Sequence, residues 1–355
     1  MPKPSLTLVN SSLIGAQILF GLGSVIAALG LPACNPFAFA LYREICAGLI
    51  LLGAAVCFRI GSLLLPLRQN PTRFLLLGLV IYGNQAGVIA GIKLAGGVTA
   101  AVWQPSQPIM TAAISMALHW EPIHPWRVVG ILVAFGGCAI MVWKGNSDQV
   151  TSSLSYVVGN MLFFVNCLCT SLYVILSKKV LKLYHPLVVT AWSYNLAAVF
   201  MAVTASMTSI SPTALNFLCP DCTSTWHIPP GAWFALLYFI LFNSVAAYAI
   251  LTWANQFATG TLVMGYTVLQ PVTAALLTLV LLGLGTVPRC GSEDITKCLN
   301  PPGWGSIIGM AGVFVGLYFV IVTEPKAKEA SYQELPVINE TKHYDDDDET
   351  HLMKA

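Results

Sequence analysis

Charge is scarce in this sequence. Only 9% of its 355 residues are Asp, Glu, Lys or Arg, against about a quarter in an ordinary soluble domain, and that scarcity excludes a water-solvated globule. A formal charge of +2 and the lack of any basic stripe interleaved with aromatics exclude a nucleic-acid partner. No Walker motif is present to couple ATP, and no Ser/His/Asp or metal-ligand cluster is present to support hydrolysis. His119, His124, His185 and His227 all fall in loops or at the ends of apolar runs. Buried carboxylates are too few to bind hard metal cations. The chain is therefore expected to be no enzyme and to need no cofactor or metal. The N-terminus also lacks a basic segment and an A-x-A cleavage site before its first apolar run, so that run is read as a retained helix.

What the sequence has in abundance is apolar length. Hydrophobic residues make up 56%, gathered into runs near 12–30, 37–58, 74–94, 98–118, 126–143, 154–176, 186–208, 232–254, 257–283 and 304–323. Runs of about twenty residues match a hydrocarbon core of about 30 Å. They do not alternate as barrel strands do, so helices must satisfy the backbone in lipid. The expected fold is an all-α, multi-pass membrane protein with ten transmembrane helices in a lipid bilayer.

Basic residues orient it. With the N-terminus inside, the inner segments hold Lys3, Arg59, Arg68, Arg73, Arg127, Lys178, Lys179, Lys182, Lys326, Lys328, Lys342 and Lys354, and the outer ones only Lys144, Arg289 and Lys297. Arg43 and Lys93 lie within or at the edge of runs. The positive-inside rule then places both termini in the cytosol. The plasma membrane is the expected site, with endosomal, vacuolar or Golgi membranes as alternatives. Four cysteines fall in the two longest outer loops: Cys219 and Cys222, Cys290 and Cys298. They suit disulfides in an oxidising compartment with three pairings open, while Cys219-Pro-Asp-Cys222 also reads as a redox or zinc pattern. The polar tail 324–355 is expected to be disordered. Its Tyr332-Gln-Glu-Leu335 fits the Tyr-x-x-apolar pattern read by sorting adaptors.

An internal repeat is visible. Val98-Thr-Ala-Ala-Val-Trp103-Gln-Pro-Ser-Gln107-Pro108 aligns without gaps on Thr261-Leu-Val-Met-Gly-Tyr266-Thr-Val-Leu-Gln270-Pro271, the fourth span of each of two five-helix halves. Because five is odd, the halves have opposite topology. With Tyr42-Arg43-Glu44, Gly91-Ile-Lys93-Leu-Ala-Gly-Gly-Val-Thr-Ala-Ala, Trp120-Glu121-Pro and Ser177-Lys-Lys179 in order along the chain, the sequence resembles the drug/metabolite transporter superfamily, specifically its EamA-type members. Asn35-Pro-Phe-Ala-Phe-Ala-Leu-Tyr-Arg-Glu44 is similar to the eukaryotic branch with plant nodulin-like, walls-are-thin transporters. The second half departs from the family pattern where a long loop with Cys290 and Cys298 replaces a terminal Gly-Glu. The implied organisation is a cytosolic segment 1–11, repeats 12–143 and 154–323, a connecting loop 144–153 and the tail. The resemblance further implies that spans three, four, eight and nine line a central pathway.

Polar side chains inside spans cost free energy unless they pair or face a wet cavity, which makes them site candidates. These are Tyr82, Asn84 and Gln85; Trp103, Gln104, Ser106 and Gln107; Asn243, Ser244 and Tyr248; and Tyr266, Thr267 and Gln270. Gln107 and Gln270 are repeat-related and expected to converge near the pseudo-two-fold axis. Gln104 and Gln107 share a helix face, where both amides can donate and accept, unless they simply tie helices together. Trp103 and Tyr266 would stack a planar solute or pack. Pro105, Pro108 and Pro271 each free a carbonyl one turn earlier and kink the helix. Arg43 is read as a contact for a carboxylate or phosphate or as a structural partner, and Glu44 as a proton-coupling group or a structural acid. Asn160, Asn166 and Tyr173, with Trp192, Tyr194 and Asn195, form a second polar group.

The function read from this pattern is a secondary transporter or facilitator for a small polar organic metabolite, an amino acid or related solute, working by alternating access. Two alternatives stand beside it: a nucleotide-sugar or phosphorylated-metabolite carrier, which would need more basic residues inside the spans, and a non-transporting scaffold or receptor acting through its tail. Sequence gives no oligomeric state.

Overall fold

A computed structural model describes residues 4–31, 34–60, 65–95, 100, 103–118, 125–143, 154–219, 222, 225–288, 299 and 304–322. The chain divides into two units, Met1–Glu324 and Pro325–Ala355, and the second lies outside the described residues. So do Cys290, Cys298, Tyr332, Leu335 and the segment 144–153.

The long helices are α1 Leu6–Gly30, α2 Pro36–Cys57, α3 Pro71–Ala95, α4 Ser106–Ala117, α5 Pro125–Trp143, α6 Leu154–Val180, α7 Pro186–Ile210, α8 Pro230–Ala254, α9 Gly260–Gly283 and α10 Trp304–Val322. Each lies on an apolar run visible in the sequence. Among the described residues, seven of them (α1, α2, α3, α6, α7, α8 and α9) are long and apolar enough to cross a membrane. Their starts are set by local chemistry. Asn35 Oδ1 accepts from Phe37 N at 3.0 Å and His185 Nδ1 from Leu187 N at 3.2 Å, each followed at once by a proline that needs no donor partner. Ser5 and Thr259 cap α1 and α9 in the same way.

Two helices are interrupted. In α8 a 3-10 turn, Pro230–Ala232, opens the helix, and a π-helical stretch, Phe239–Ala247, replaces α geometry at its middle. In α9 a 3-10 turn, Tyr266–Val268, precedes Pro271 by one turn, where the missing proline N–H leaves the carbonyl of Thr267 without its helical donor.

Packed pairs recur under a shift of five helix numbers. α1 packs on α8 and α9, and α6 on α3 and α4; α2 packs on α8, and α7 on α3; α2–α7, α4–α9 and α5–α10 pair across the shift. Small residues allow the closest crossings. A Cβ on Gly21 of α1 would stand 2.7 Å from Gln270 O of α9, and one on Gly87 of α3 would stand 2.6 Å from Leu162 O of α6. Large apolar side chains such as Leu49, Val199, Val203 and Ile210 point outward, as a lipid-facing surface requires. Inside, two apolar clusters form. One contains Leu13, Leu51, Phe74, Leu77, Leu251 and Leu262, and the other Leu31, Phe39, Ile89, Phe163, Ala235 and Phe239.

Cys219 and Cys222 are bonded, with an S–S distance of 1.96 Å, just beyond a short helix, Pro212–Leu218. Cys34, between α1 and α2, is buried beside them, with the Cys219 sulfur 3.7 Å from its carbonyl oxygen. Burial pushes the Cys34 thiol up to about 11, with Lys93 pulling the other way.

Candidate functional site

Proline chemistry starts the site. Pro108 lacks the N–H that would bond Gln104 O four residues back, and that carbonyl instead accepts Gln107 N at 3.0 Å and the hydroxyl of Thr267 at 3.4 Å. Gln104 and Thr267 are repeat-related, so the contact joins equivalent positions of the two aligned stretches, one just before α4 and one within α9.

Around this contact lies a cavity of about 80 Å³ walled by Gln17, Asn84, Gln85, Gln104, Gln107, Asn166, Asn243 and Gln270, together with Arg43, Ser24, Thr170, Thr267 and Tyr248. Apolar and aromatic wall is supplied by Phe20, Val88, Ile92, Phe239, Leu251 and Met264. At about 10–15 Å³ per water, the space suits a solute displacing roughly five to eight waters. The carboxamides hold one another. Tyr248 donates to Asn84 Oδ1 at 2.7 Å, Asn84 Nδ2 to the Thr170 hydroxyl, and Asn166 Nδ2 to Asn84 O at 2.9 Å. Gln107 Nε2 donates to Gln104 Oε1, Gln104 Nε2 to Asn166 Oδ1 at 3.4 Å, and Gln270 Nε2 to Gln17 Oε1 at 2.7 Å. Gln107 and Gln270 therefore face one cavity without bonding each other.

Arg43, 1% exposed, is the charged residue of the wall. Its Nε donates to Ser244 Oγ at 2.7 Å and Nη2 to Gln85 Oε1, and its guanidinium carbon stands 5.0 Å from the Phe239 ring centroid. Such a cation–π contact contributes about 0.5–2 kcal/mol. The partners Phe239 and Ser244 both belong to the π-helical stretch of α8, a geometry found often at functional sites. Glu44 is fully buried outside the cavity wall, and among the described residues neither carboxyl oxygen has a hydrogen-bond partner.

The sequence model of the EamA-like transporter family matches residues 8–143 and 157–285. The chain belongs to the EamA-like transporter family. Among its relatives, the "Uncharacterized transporter YyaM" of Bacillus subtilis (strain 168) is 26% identical over 245 residues, covering 69% of this chain and 75% of that protein. An "Uncharacterized transporter" of Archaeoglobus fulgidus is 27% identical over 270 residues, covering 74% and 86%. The "WAT1-related protein At4g15540" of Arabidopsis thaliana is 23% identical over 268 residues, covering 71% and 72%. A solved structure described as "Crystal structure of protein" shares the fold at a TM-score of 0.66 and 18% identity, covering 91% of this chain and 100% of that one. This EamA-like chain is thus a multi-pass membrane transporter rather than an enzyme, working on a small molecule within a lipid bilayer.

Within the EamA-like fold, Asn84, Gln85, Gln104, Gln107, Asn243, Tyr248 and Gln270 share the cavity wall with Arg43. Tyr82, Trp103 and Tyr266 stand outside it. Tyr82 is hydrogen-bonded to Thr204 at 2.6 Å, and the Trp103 indole donates to Asn160 Oδ1 at 2.9 Å. Tyr266 is buried at 1% exposure. Pro105, Pro108 and Pro271 are buried at the start of α4 and after the 3-10 turn of α9. Gln17 and Ser24 on α1 and Thr170 on α6 also line the cavity, and sequence reasoning did not single them out. A signal for Gln17 existed, as an amide at the centre of an apolar run meets the same criterion that selected Gln270.

Proposed function

We propose that this chain is a secondary transporter that carries a small polar organic metabolite, an amino acid or related solute, by alternating access between two inverted five-helix repeats, 12–143 and 154–323. The observation that carries this reading is the carboxamide wall. Eight Asn and Gln side chains from six parts of the chain converge on one cavity, and amides that both donate and accept suit a neutral or zwitterionic solute. Recurrence of the packed pairs under a five-helix shift supports the repeat organisation, as do the two separate family matches. A phosphorylated solute fits less well, because among the described residues Arg43 is alone as a cation in the wall. In this reading Glu44 couples transport to protons, both termini are cytosolic, the membrane is the plasma membrane, and the Cys219–Cys222 disulfide faces the outside. The tail meets sorting adaptors through Tyr332 and Leu335.

The test is flux of a labelled metabolite panel, amino acids foremost, in proteoliposomes with and without a pH gradient. Wild type should move at least one solute, and Gln107→Ala combined with Gln270→Ala should abolish that flux while the protein still unfolds cooperatively on heating. Undiminished flux in the double variant would place the pathway elsewhere, and no flux for any solute in wild type would defeat the reading.

A further inference from the structure

Hydrogen bonding in the cavity wall is unbalanced. Among the described residues, the buried side-chain polar atoms left without a partner include two that belong to residues lining the cavity, Arg43 Nη1 and Gln17 Nε2. Both are donors. The other unpartnered atoms belong to Asn10, Asn35, Glu44, Thr111 and Asn255, none of which lines the cavity. Buried donors left unmet are costly, most of all on a charged group, so a solute that brings an acceptor to these residues is favoured over one that does not.

Charge narrows the occupant further. Among the described residues Arg43 is the wall's one ionised residue, and no Asp or Glu of theirs stands there to balance it. Glu44 follows it on α2, about 100° around the helix, and stays outside the wall. The other faces of the guanidinium are committed: Nε to Ser244, Nη2 to Gln85 and the π-face to Phe239. These contacts fix its orientation and leave Nη1 free. An anion with a planar pair of oxygens matches a fixed guanidinium edge, and a single negative charge matches a single positive one. A phosphate monoester, at nearly two charges, would leave a net negative charge in a cavity of about 80 Å³.

We propose that the transported solute is a small organic monocarboxylate, amino acids included, whose carboxylate docks on Arg43 Nη1, with Gln17 Nε2 as the second waiting donor. This rests on the transporter reading above and goes beyond it by naming the group that every substrate shares. The carboxamides take the polar remainder, an ammonium included, and Phe20 and Tyr248, packed edge to face at 5.3 Å, offer an apolar patch for a side chain.

The experiment uses the full chain in proteoliposomes, with protein-free liposomes as background. Labelled carboxylic and amino acids of two to ten carbons are each measured beside the matching primary amide, and sugar phosphates beside the corresponding sugars. Acids should enter about tenfold to a hundredfold faster than their amides, the difference expected from one charge-assisted hydrogen bond. In Arg43→Gln that ratio should fall to near one, and Arg43→Lys should restore part of it. Amides moving as fast as acids, or phosphates moving in preference to acids, would overturn the carboxylate proposal while leaving a polar-solute transporter in place. Absence of flux for every solute, from protein that still melts cooperatively, would overturn both. The acid-to-amide ratio of wild type decides the matter even where an Arg43 variant fails to fold.

Discussion

α2 and α7 begin alike: a side-chain cap, Asn35 or His185, followed at once by Pro36 or Pro186. Aligned on that start, Arg43 falls opposite Ser193 and Glu44 opposite Tyr194. The two helices pack on each other, yet α2 carries the buried ionisable pair Arg43 and Glu44 while α7 has Ser193 and Tyr194 at the matching heights. Gln85 bridges them, accepting from Arg43 and donating to the Tyr194 hydroxyl at 3.3 Å. Around Arg43 the partners are neutral: Gln85 from α3, and Ser244 and Phe239 from α8.

Glu44 is where breaking this asymmetry should matter most. As a carboxylate it would bear the cost of an unpaired buried charge, and as an acid only that of unmade hydrogen bonds. The groups it acts on electrostatically are Arg43 beside it, Tyr194 from α7 and Tyr248 from α8. Glu44→Gln should remove uptake driven by a pH gradient, worth up to about tenfold accumulation per pH unit for one proton per solute, and keep downhill exchange. Tyr194→Phe should keep the coupling. Gradient-driven accumulation that survives Glu44→Gln would assign the proton elsewhere.

A second comparison lies along α1. A Cβ on Gly21 would meet Gln270 O and the Thr273 side chain, whereas one on Gly15 would meet nothing of a neighbouring element within 4 Å among the described residues. Gly21→Leu should cost about 1–3 kcal/mol through overpacking and lower the thermal midpoint, with Gly15→Leu within about 0.5 kcal/mol of wild type. Equal midpoints would mean that α1 and α9 do not approach as closely as described.

The smallest effect separates the two caps. Asn35→Ala and His185→Ala should each cost about 1 kcal/mol. Partial burial lowers the His185 pKa from its ordinary 6.5, so the unfolded chain binds the proton more readily. The contribution of this cap is therefore present above about pH 6.5 and lost as the pH falls through the lowered value. His185 is exposed, and solvent keeps the effect small. Melting wild type and both variants between pH 5 and 8 should show the His185 difference shrinking in acid and the Asn35 difference constant.

Helices in this chain were legible because lipid demands long apolar runs, and α2, α5 and α7 start within a residue of the runs at 37, 126 and 186. The cavity was legible in part. Gln104, Gln107 and Gln270 were marked by a repeated Gln-Pro and by the carbonyls that Pro108 and Pro271 free. Trp103 and Tyr266 share that repeat, yet one faces Asn160 and the other is buried away from the wall. The reason is physical: a helix apolar on every side has no amphipathic stripe to mark its inward face, so side-chain direction had to await the packing. Gln17 carried the same mark as Gln270, an amide inside an apolar run, but nothing in the apolar sequence of α1 says that the two face each other.

The nine-residue π stretch of α8 has a mechanical meaning as well. Each residue of an α-helix advances the phase by about 100° and the length by about 1.5 Å, so a wider turn stores one residue of slack inside an unbroken hydrogen-bonded rod. Tightening that turn to α geometry would rotate Tyr248 and Leu251 against Phe239 and lengthen the rod by one step. The cavity lining from Phe239, Asn243, Tyr248 and Leu251 therefore takes its orientation from the phase that the π geometry sets.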